Sequence, residues 1–218
     1  MFEFNSKTAV NKEFKIREIF KMIKAGKSLK DNANSIERIL LSNVLSEQTL
    51  NIKSDDSCRE IYVFNIVLKE KQIPTDFIKE FDKFIELHTY FIFQYEDEVK
   101  EICIYRFIED KNIKRIKLYE SEWMEKEFKE LPHCMSIKEV YDNLIFDLLP
   151  IKVRDNEDIN SFIERYNNIE KIKKEISSLE KKAFKESQSK KKFEIGRLLR
   201  NKRENLHKLV CYTANYFI

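Results

Sequence analysis

The residues that come nearest to a catalytic set are carboxylates and a lysine around one hydrophobic strand. Asp55 and Asp56 precede this strand, Glu60 begins it and Lys69 ends it. Restriction-type nucleases hold Mg²⁺ between strand-borne carboxylates, with a lysine beside the metal in an E-x-K arrangement. The end of this strand, residues 65–69, contains no E-x-K, and nine residues separate Glu60 from Lys69, about 30 Å along a strand. We therefore predict a turn and a strand end here, and a divergent metal-dependent nuclease stays as an alternative.

The cysteines and histidines predict no metal site and no activated nucleophile. The four cysteines are far apart and include no C-x-x-C pair: Cys58, Cys103, Cys134 and Cys211. We expect free thiols in a reducing cytoplasm. His133 adjoins Cys134, but no nearby residue completes a zinc site. Neither His88 nor His207 has a nucleophile close in sequence, so we predict no metal, no cofactor and no enzymatic activity.

Low glycine content and the distribution of apolar residues exclude further classes. The chain has only Gly26 and Gly196, whereas Rossmann and P-loop phosphate sites need several glycines in one loop. No apolar run reaches the roughly 18 residues that span a membrane. The first residues lack the basic and apolar regions of a secretory signal. A cytoplasmic protein without a membrane partner is therefore expected.

Charge is distributed unevenly along the chain, although the net charge is only +3. Residues 1–150 hold 24 basic and 28 acidic side chains, whereas residues 151–218 hold 17 and 10. The candidate nucleic-acid-binding residues are Lys181, Lys182, Lys185, Lys190, Lys191, Lys192, Arg197, Arg200, Lys202 and Arg203, with Lys208 beyond them. Such a cluster can neutralise phosphates without reading sequence. A solvated helix surface or contact with an acidic protein would use the same charges.

The basic cluster lies on two predicted helices that follow the α+β body. Apolar residues keep three-and-four spacing from Ile159 to Ala183 and again from Ile195 to Leu209. The residues 187–189 between them favour a turn. The pattern predicts an antiparallel, coiled-coil-like hairpin over residues 151–218. One unbroken helix is the alternative, and a further alternative is that the apolar seam joins copies of the chain in a homo-oligomer.

Residues 1–150 are predicted to form an α+β body in which a small, mostly antiparallel sheet is flanked by helices. Apolar spacing predicts helices at 14–23, 31–45, 74–85 and 137–148, and strands at 49–53, 60–69, 89–95, 99–107 and 112–120. Residues 5–11 read as an irregular entry segment. The strand at 60–69 is apolar on both faces, which indicates a central position. Ser136 and Glu139 have capping-box spacing at the last of these helices.

Eight segments follow one another in a definite order along nearly the whole chain: residues 8–12, 48–52, 60–69, 91–96, Tyr119-Glu120-Ser121-Glu122-Trp123, 131–132, 140–144 and 180–182. Their order resembles that of a bacterial family of unknown function, DUF4391. The resemblance implies genomic proximity to helicases and DNA methyltransferases in restriction-like or phage-defence islands. It implies no catalytic residue. A DNA-linked accessory role agrees with the basic hairpin.

These observations together predict a non-enzymatic accessory subunit of a DNA-processing system. The body would act as a scaffold, and the hairpin would contact DNA, RNA or an acidic face of a partner. A helicase or a DNA methyltransferase is the expected partner. The alternatives are the divergent nuclease and a structural protein that oligomerises through the hairpin.

Overall fold

The computed structural model describes residues 1–109 and 112–210, and it describes the side chains outside 107–116. Seven strands of the chain form one mixed sheet. The chain divides into two compact units, Met1–Leu149 and Pro150–Ile218. The elements are β1 (Phe2–Glu3), β2 (Ala9–Phe14), α1 (Ile16–Met22), α2 (Lys27–Asn32), β3 (Ile36–Ser46), α3 (Glu47–Leu50), β4 (Glu60–Leu68), α4 (Thr75–Ile85), β5 (His88–Tyr95), β6 (Glu98–Glu109), β7 (Asn112–Glu120), β8 (Met124–Glu125), β9 (Lys129–Glu130), α5 (Ile137–Leu148), α6 (Ile159–Lys185) and α7 (Ser189–Val210).

The sheet of the first unit is mostly antiparallel, which confirms the predicted fold class. Its strand order is β2-β3-β4-β5-β6-β7, and β8 pairs with β6. Only β4 and β5 run parallel among these described pairs, because α4 carries the chain across between them. The predicted central strand is confirmed, since β4 pairs on both sides and buries residues of both faces, including Val63 and Phe64.

An aromatic cluster joins α4 to one face of the sheet. The Phe64 ring lies 5.2 Å from that of Phe81 and 5.6 Å from that of Phe91, and Phe77 stacks on Phe81 at 5.8 Å. All four side chains are buried. Burial of each ring stabilises the fold by roughly 1.5–3 kcal/mol relative to exposure, so this layer is the main core of the body.

Helix α5 covers the opposite face of the sheet. The Tyr141 hydroxyl donates a hydrogen bond to the Ile104 carbonyl at 3.1 Å, and the Cys103 thiol donates to that hydroxyl at 3.4 Å. Neighbouring side chains on a strand point to opposite faces, and Ile104 itself belongs to the aromatic-side core. The sheet is therefore covered by helices on both faces, as the apolar pattern of β4 indicates.

Three local predictions are wrong. The predicted helix at 31–45 is mostly the strand β3, the predicted strand at 49–53 overlaps the short helix α3, and the irregular segment at 5–11 contains the start of β2. The pairing of β3 with β4 shifts register between Ile36 and Arg38 and again between Leu41 and Asn43. Each irregularity breaks the two-residue alternation of a strand, so the buried positions imitate helical spacing.

The predicted cap of α5 is confirmed in part. The Ser136 hydroxyl accepts the Glu139 N–H at 3.2 Å, as a capping box requires. The reciprocal bond is displaced by one residue, because the Glu139 carboxylate accepts the Met135 N–H at 2.6 Å.

The second unit is a pair of long helices, which confirms the hairpin and excludes one unbroken helix. Residues 186–188 separate α6 from α7, and the two helices pack together. The Asp158 carboxylate begins α6 by accepting the Asn160 and Ser161 N–H groups. In the described part of the chain, no helix combines the length and the apolar character that crossing a membrane would require.

Candidate nucleic-acid interface

The two helices of the hairpin are held by an apolar seam with charged pairs at its edge. Ile176 is the buried residue of α6 nearest the C-terminal end of that helix, and Ile195 and Leu199 of α7 are half-buried. The Lys202 ammonium lies 2.6 Å from a Glu175 carboxylate oxygen. This contact with Lys202 holds the pKa of Glu175 below its ordinary value. This pairing explains why a lysine interrupts the apolar pattern of α7.

A second interhelix ion pair uses another of the predicted binding residues. Arg203 donates to the Glu180 carboxylate at 2.7 Å. The charges of Lys202 and Arg203 are therefore already paired with carboxylates of α6. A phosphate would have to compete with these contacts to pair with either side chain.

At the open end of the hairpin, where α6 begins and α7 ends, two arginines form a hydrogen-bond network that the sequence analysis did not predict. Arg165 makes two hydrogen bonds of 2.7 Å to the Glu157 carboxylate and a third to the Lys152 carbonyl. This contact holds the pKa of Glu157 below its ordinary value. Arg154 and Arg165 also donate to the Leu209 carbonyl, at 2.9 and 3.4 Å. The two guanidinium groups satisfy carbonyls at the end of α7, where a helix favours positive charge.

The sequence offered little that could have indicated this network. Arg154 and Arg165 read as ordinary members of a charged segment, and their partners include backbone carbonyls 44 to 55 residues away. Arg165 differs from the surface cations because its side chain is almost completely buried. The Arg165 charge stabilises the folded hairpin and is not part of an exposed binding surface.

The closed end of the hairpin, here termed the tip, carries the densest positive charge. We define the tip as residues 181–193, around the connection of α6 and α7. It contains six exposed lysines, namely Lys181, Lys182, Lys185, Lys190, Lys191 and Lys192. Among the described residues, no carboxylate forms an ion pair with any of them. The one acidic side chain of the tip, Glu186, accepts the Gln188 N–H at 2.9 Å.

The remaining predicted residues lie along α7. Arg197 and Arg200 are exposed and have no ion-pair partner in the described part of the chain. The Lys208 carbonyl accepts a hydrogen bond from Arg154 at 3.2 Å, near the open end. The structure thus brings six of the ten candidates together at the tip, places two on α7 and pairs two across the seam.

The lysine of the nuclease alternative does not join its carboxylates, although Asp55, Asp56 and Glu60 line one surface pocket. Glu60 is the first residue of β4, and Lys69 follows its last residue, so the two stand at opposite ends of the strand. Asp55 accepts hydrogen bonds from Ser57 and from the Cys58 N–H within a turn, and the Ser57 contact lowers its pKa. In the described ranges, no three His, Cys, Asp or Glu side chains are arranged to hold a metal ion.

The cysteines of the body are packed inside it. Burial raises the pKa of the Cys58 and Cys103 thiols to about 12, so neither is a thiolate near neutral pH. Cys134 lies beside His133, as the sequence shows, but its thiol contacts the Pro132 carbonyl at 3.2 Å and the Asn143 amide at 3.3 Å. Cys211 lies outside the described residues. The three described cysteines are free thiols.

One buried polar cluster of the body escaped the sequence analysis. Arg106 forms an ion pair with the Asp82 carboxylate at 2.8 Å and donates a hydrogen bond to the Asp82 backbone carbonyl, also at 2.8 Å. Thr89 donates to the same carboxylate at 2.5 Å. Burial raises the pKa of Asp82 above its ordinary value, against the opposing effect of Arg106. Nearby, His88 meets the Tyr141 ring edge-on at 4.5 Å. These contacts connect α4, β5, β6 and α5, and we assign them to the folding of the body.

Comparison with known proteins identifies a family and supplies no activity. No curated protein and no solved structure matches the chain. The family model described as "Domain of unknown function (DUF4391)" matches residues 2–206. This match extends from β1 through the body and the tip into α7, and so includes both units. The chain therefore belongs to the DUF4391 family.

Proposed function

We propose that this chain is a non-enzymatic accessory subunit of a bacterial DNA-processing system, of the restriction-like or phage-defence kind, that contacts nucleic acid through its basic hairpin. The observation that carries the proposal is the tip, where six exposed lysines meet one glutamate within residues 181–193. A surface that serves only solubility usually mixes both signs of charge. An uncompensated cluster of this kind favours a polyanion.

The chemistry of the tip predicts binding that does not depend on base sequence. Lysine ammonium groups act as point charges toward phosphates, whereas base-specific contacts are usually made by bidentate side chains such as arginine. Binding is driven by release of counterions from the nucleic acid, and affinity therefore falls steeply with salt. If the six lysines neutralise six phosphates, the slope of log affinity against log salt is roughly −4 to −5.

The test is a binding titration of the full chain at several salt concentrations. Reversal of Lys190, Lys191 and Lys192 to glutamate is expected to weaken binding about tenfold or more and to reduce the salt slope by about 2 to 3. The matched control reverses Lys21, Lys27 and Lys30, exposed lysines of the body, with the same change in net charge. The control is expected to retain near-wild-type affinity.

Two results would contradict the proposal. Equal losses in both triple variants would mean that net charge, and not the tip, determines binding. Wild-type affinity in the tip variant would remove the hairpin from the interface. Circular dichroism of both variants checks that α6 and α7 remain folded, which is expected because all substituted side chains are exposed.

A further inference from the structure

Two phenylalanines stand exposed among the lysines of the tip. Phe184 is 90% exposed and Phe193 is 77% exposed. Phe184 lies one residue before the end of α6, and Phe193 is the fifth residue of α7. At about 1.5 Å of rise per residue, both rings are within roughly two turns of the connection. The basic tip therefore carries two large apolar side chains that its folding leaves in water.

The packing of the hairpin does not account for these rings. Next to Phe184, the small side chain of Ala183 is half-buried, so alanine, and not phenylalanine, lies toward the seam at this level. Phe193 precedes the half-buried Ile195 of the seam by two residues, which places it on a different side of α7. Substitution of either ring should leave the interhelix contacts intact.

The residues around the two rings indicate which kind of ligand would bind there. Lys182 and Lys185 flank Phe184 closely in sequence, and Lys192 directly precedes Phe193. An apolar groove of a neutral protein would leave these ammonium groups without counter-charges. A ligand that carries both anionic groups and flat apolar faces can pair with the ammonium groups and also cover the two rings. Single-stranded nucleic acid has this combination, because its phosphates are exposed and its bases are free to stack on aromatic side chains.

We propose that the tip binds single-stranded nucleic acid, with phosphates on its lysines and unpaired bases stacked on Phe184 and Phe193. This inference rests on the proposed function and adds the strandedness of the ligand. A duplex offers the same phosphates, but its base faces are covered by stacking, and insertion of a ring requires unstacking. The phenylalanines therefore favour single strands over duplexes.

The experiment compares the full chain and a Phe184→Leu, Phe193→Leu double variant on a single strand and on its duplex. Leucine keeps an apolar side chain and a good helix former while it removes the flat ring. The wild type is expected to prefer the single strand, and the double variant to lose about tenfold in single-strand affinity with duplex affinity unchanged. Phe128→Leu is the control, because Phe128 is an exposed ring of the body with Lys126 5.5 Å from its centroid.

A fluorescent adenine analogue, 2-aminopurine, placed in the single strand reports stacking directly. Its emission is expected to be quenched by the wild type and by the Phe128 variant, but not by the double variant. Equal wild-type affinity for both ligands together with an unaffected double variant would overturn the inference while leaving phosphate binding by the hairpin intact. Binding to neither ligand would overturn both proposals and would leave the tip to an acidic protein surface.

Discussion

The Asp82 carboxylate lies in the interior of the body, where Arg106 compensates its charge. Both side chains are almost fully buried, and a buried charge is costly unless it is paired and hydrogen-bonded. The Arg106 guanidinium and the Thr89 hydroxyl provide these contacts. Removal of Arg106 alone would leave an unpaired buried carboxylate, a change that typically costs about 3–5 kcal/mol. The pair therefore explains how α4 and β6 are fixed to each other.

Near this pair, His88 makes the stability of the body depend on pH. Burial, and then the positive charge of Arg106, lower the pKa of His88 to about 4, from 6.5. Between these values the unfolded chain binds the proton and the folded chain does not, so stability rises with pH across this range. The full shift corresponds to about 3 kcal/mol, which is present above pH 6.5 and lost as pH falls toward 4.

We predict that His88→Gln flattens this dependence, because glutamine does not titrate. The free energy of unfolding, measured by denaturant titration at pH 4.5 and at pH 7, should change less between the two conditions in the variant than in the wild type. The difference between the two pH profiles separates the effect of His88 on stability from that of buried carboxylic acids. Asp82 is one of these, and its raised pKa changes stability with pH in the opposite direction. His133→Gln, at an exposed position, is the matched control. Parallel pH profiles for the wild type and His88→Gln would contradict the assignment.

At the scale of elements, the sequence predicts those whose apolar pattern is undisturbed. Strands β4, β5 and β6 and helices α4 and α5 follow regular alternation or helical spacing, and all were predicted correctly. Strand β3 was not, because its pairing with β4 is irregular at two points and depends on partners 14 to 32 residues away. Long-range pairing of this kind overrides local preference. The parallel crossover between β4 and β5 likewise cannot be read from either strand alone.

The candidate site was predictable to a similar extent. A count of charged residues locates the tip, and the six exposed lysines agree with it. The count cannot show that Lys202 and Arg203 are paired with Glu175 and Glu180, because these contacts depend on the register of α7 against α6. The exposed rings of Phe184 and Phe193 also depend on this register, since only the packed hairpin shows which apolar residues face the seam.

The arginine network at the open end of the hairpin provides a test at the element scale. We predict that Arg165→Ala lowers the stability of the hairpin by about 3 kcal/mol, because it removes the guanidinium that donates to the Glu157 carboxylate and to the Lys152 carbonyl. Hydrogen exchange of the full chain should show faster exchange of amides in both α6 and α7. Amides of the body sheet should retain their protection.

Arg197→Ala is the control for this prediction, because Arg197 is exposed and has no ion-pair partner among the described residues. It removes the same positive charge from the hairpin and should leave exchange unchanged. Equal exchange in the two variants would show that Arg165 acts as a surface cation and that the seam alone, through residues such as Ile176, holds the helices together.

At the scale of the whole molecule, charge and core are divided between the two units. Residues 1–150 carry a small acidic excess and residues 151–218 a net charge of +7. The body has the larger buried core, with the aromatic cluster on one face of its sheet and α5 on the other. A division of this kind suits a subunit in which the hairpin holds nucleic acid while the body is available to a protein partner.

The last prediction concerns that partner. Affinity purification of the tagged full chain from its host, with and without nuclease treatment, is expected to recover a helicase or a DNA methyltransferase that remains bound after nuclease. The variant with glutamate at Lys190, Lys191 and Lys192 should recover the same protein while losing bound nucleic acid, because the proposed protein contact is in the body and the phosphate contact in the tip. A partner lost on nuclease treatment would mean that nucleic acid bridges the two proteins. The chain would then be a nucleic-acid-binding protein whose body serves as a platform for the hairpin, and the accessory-subunit proposal would be wrong.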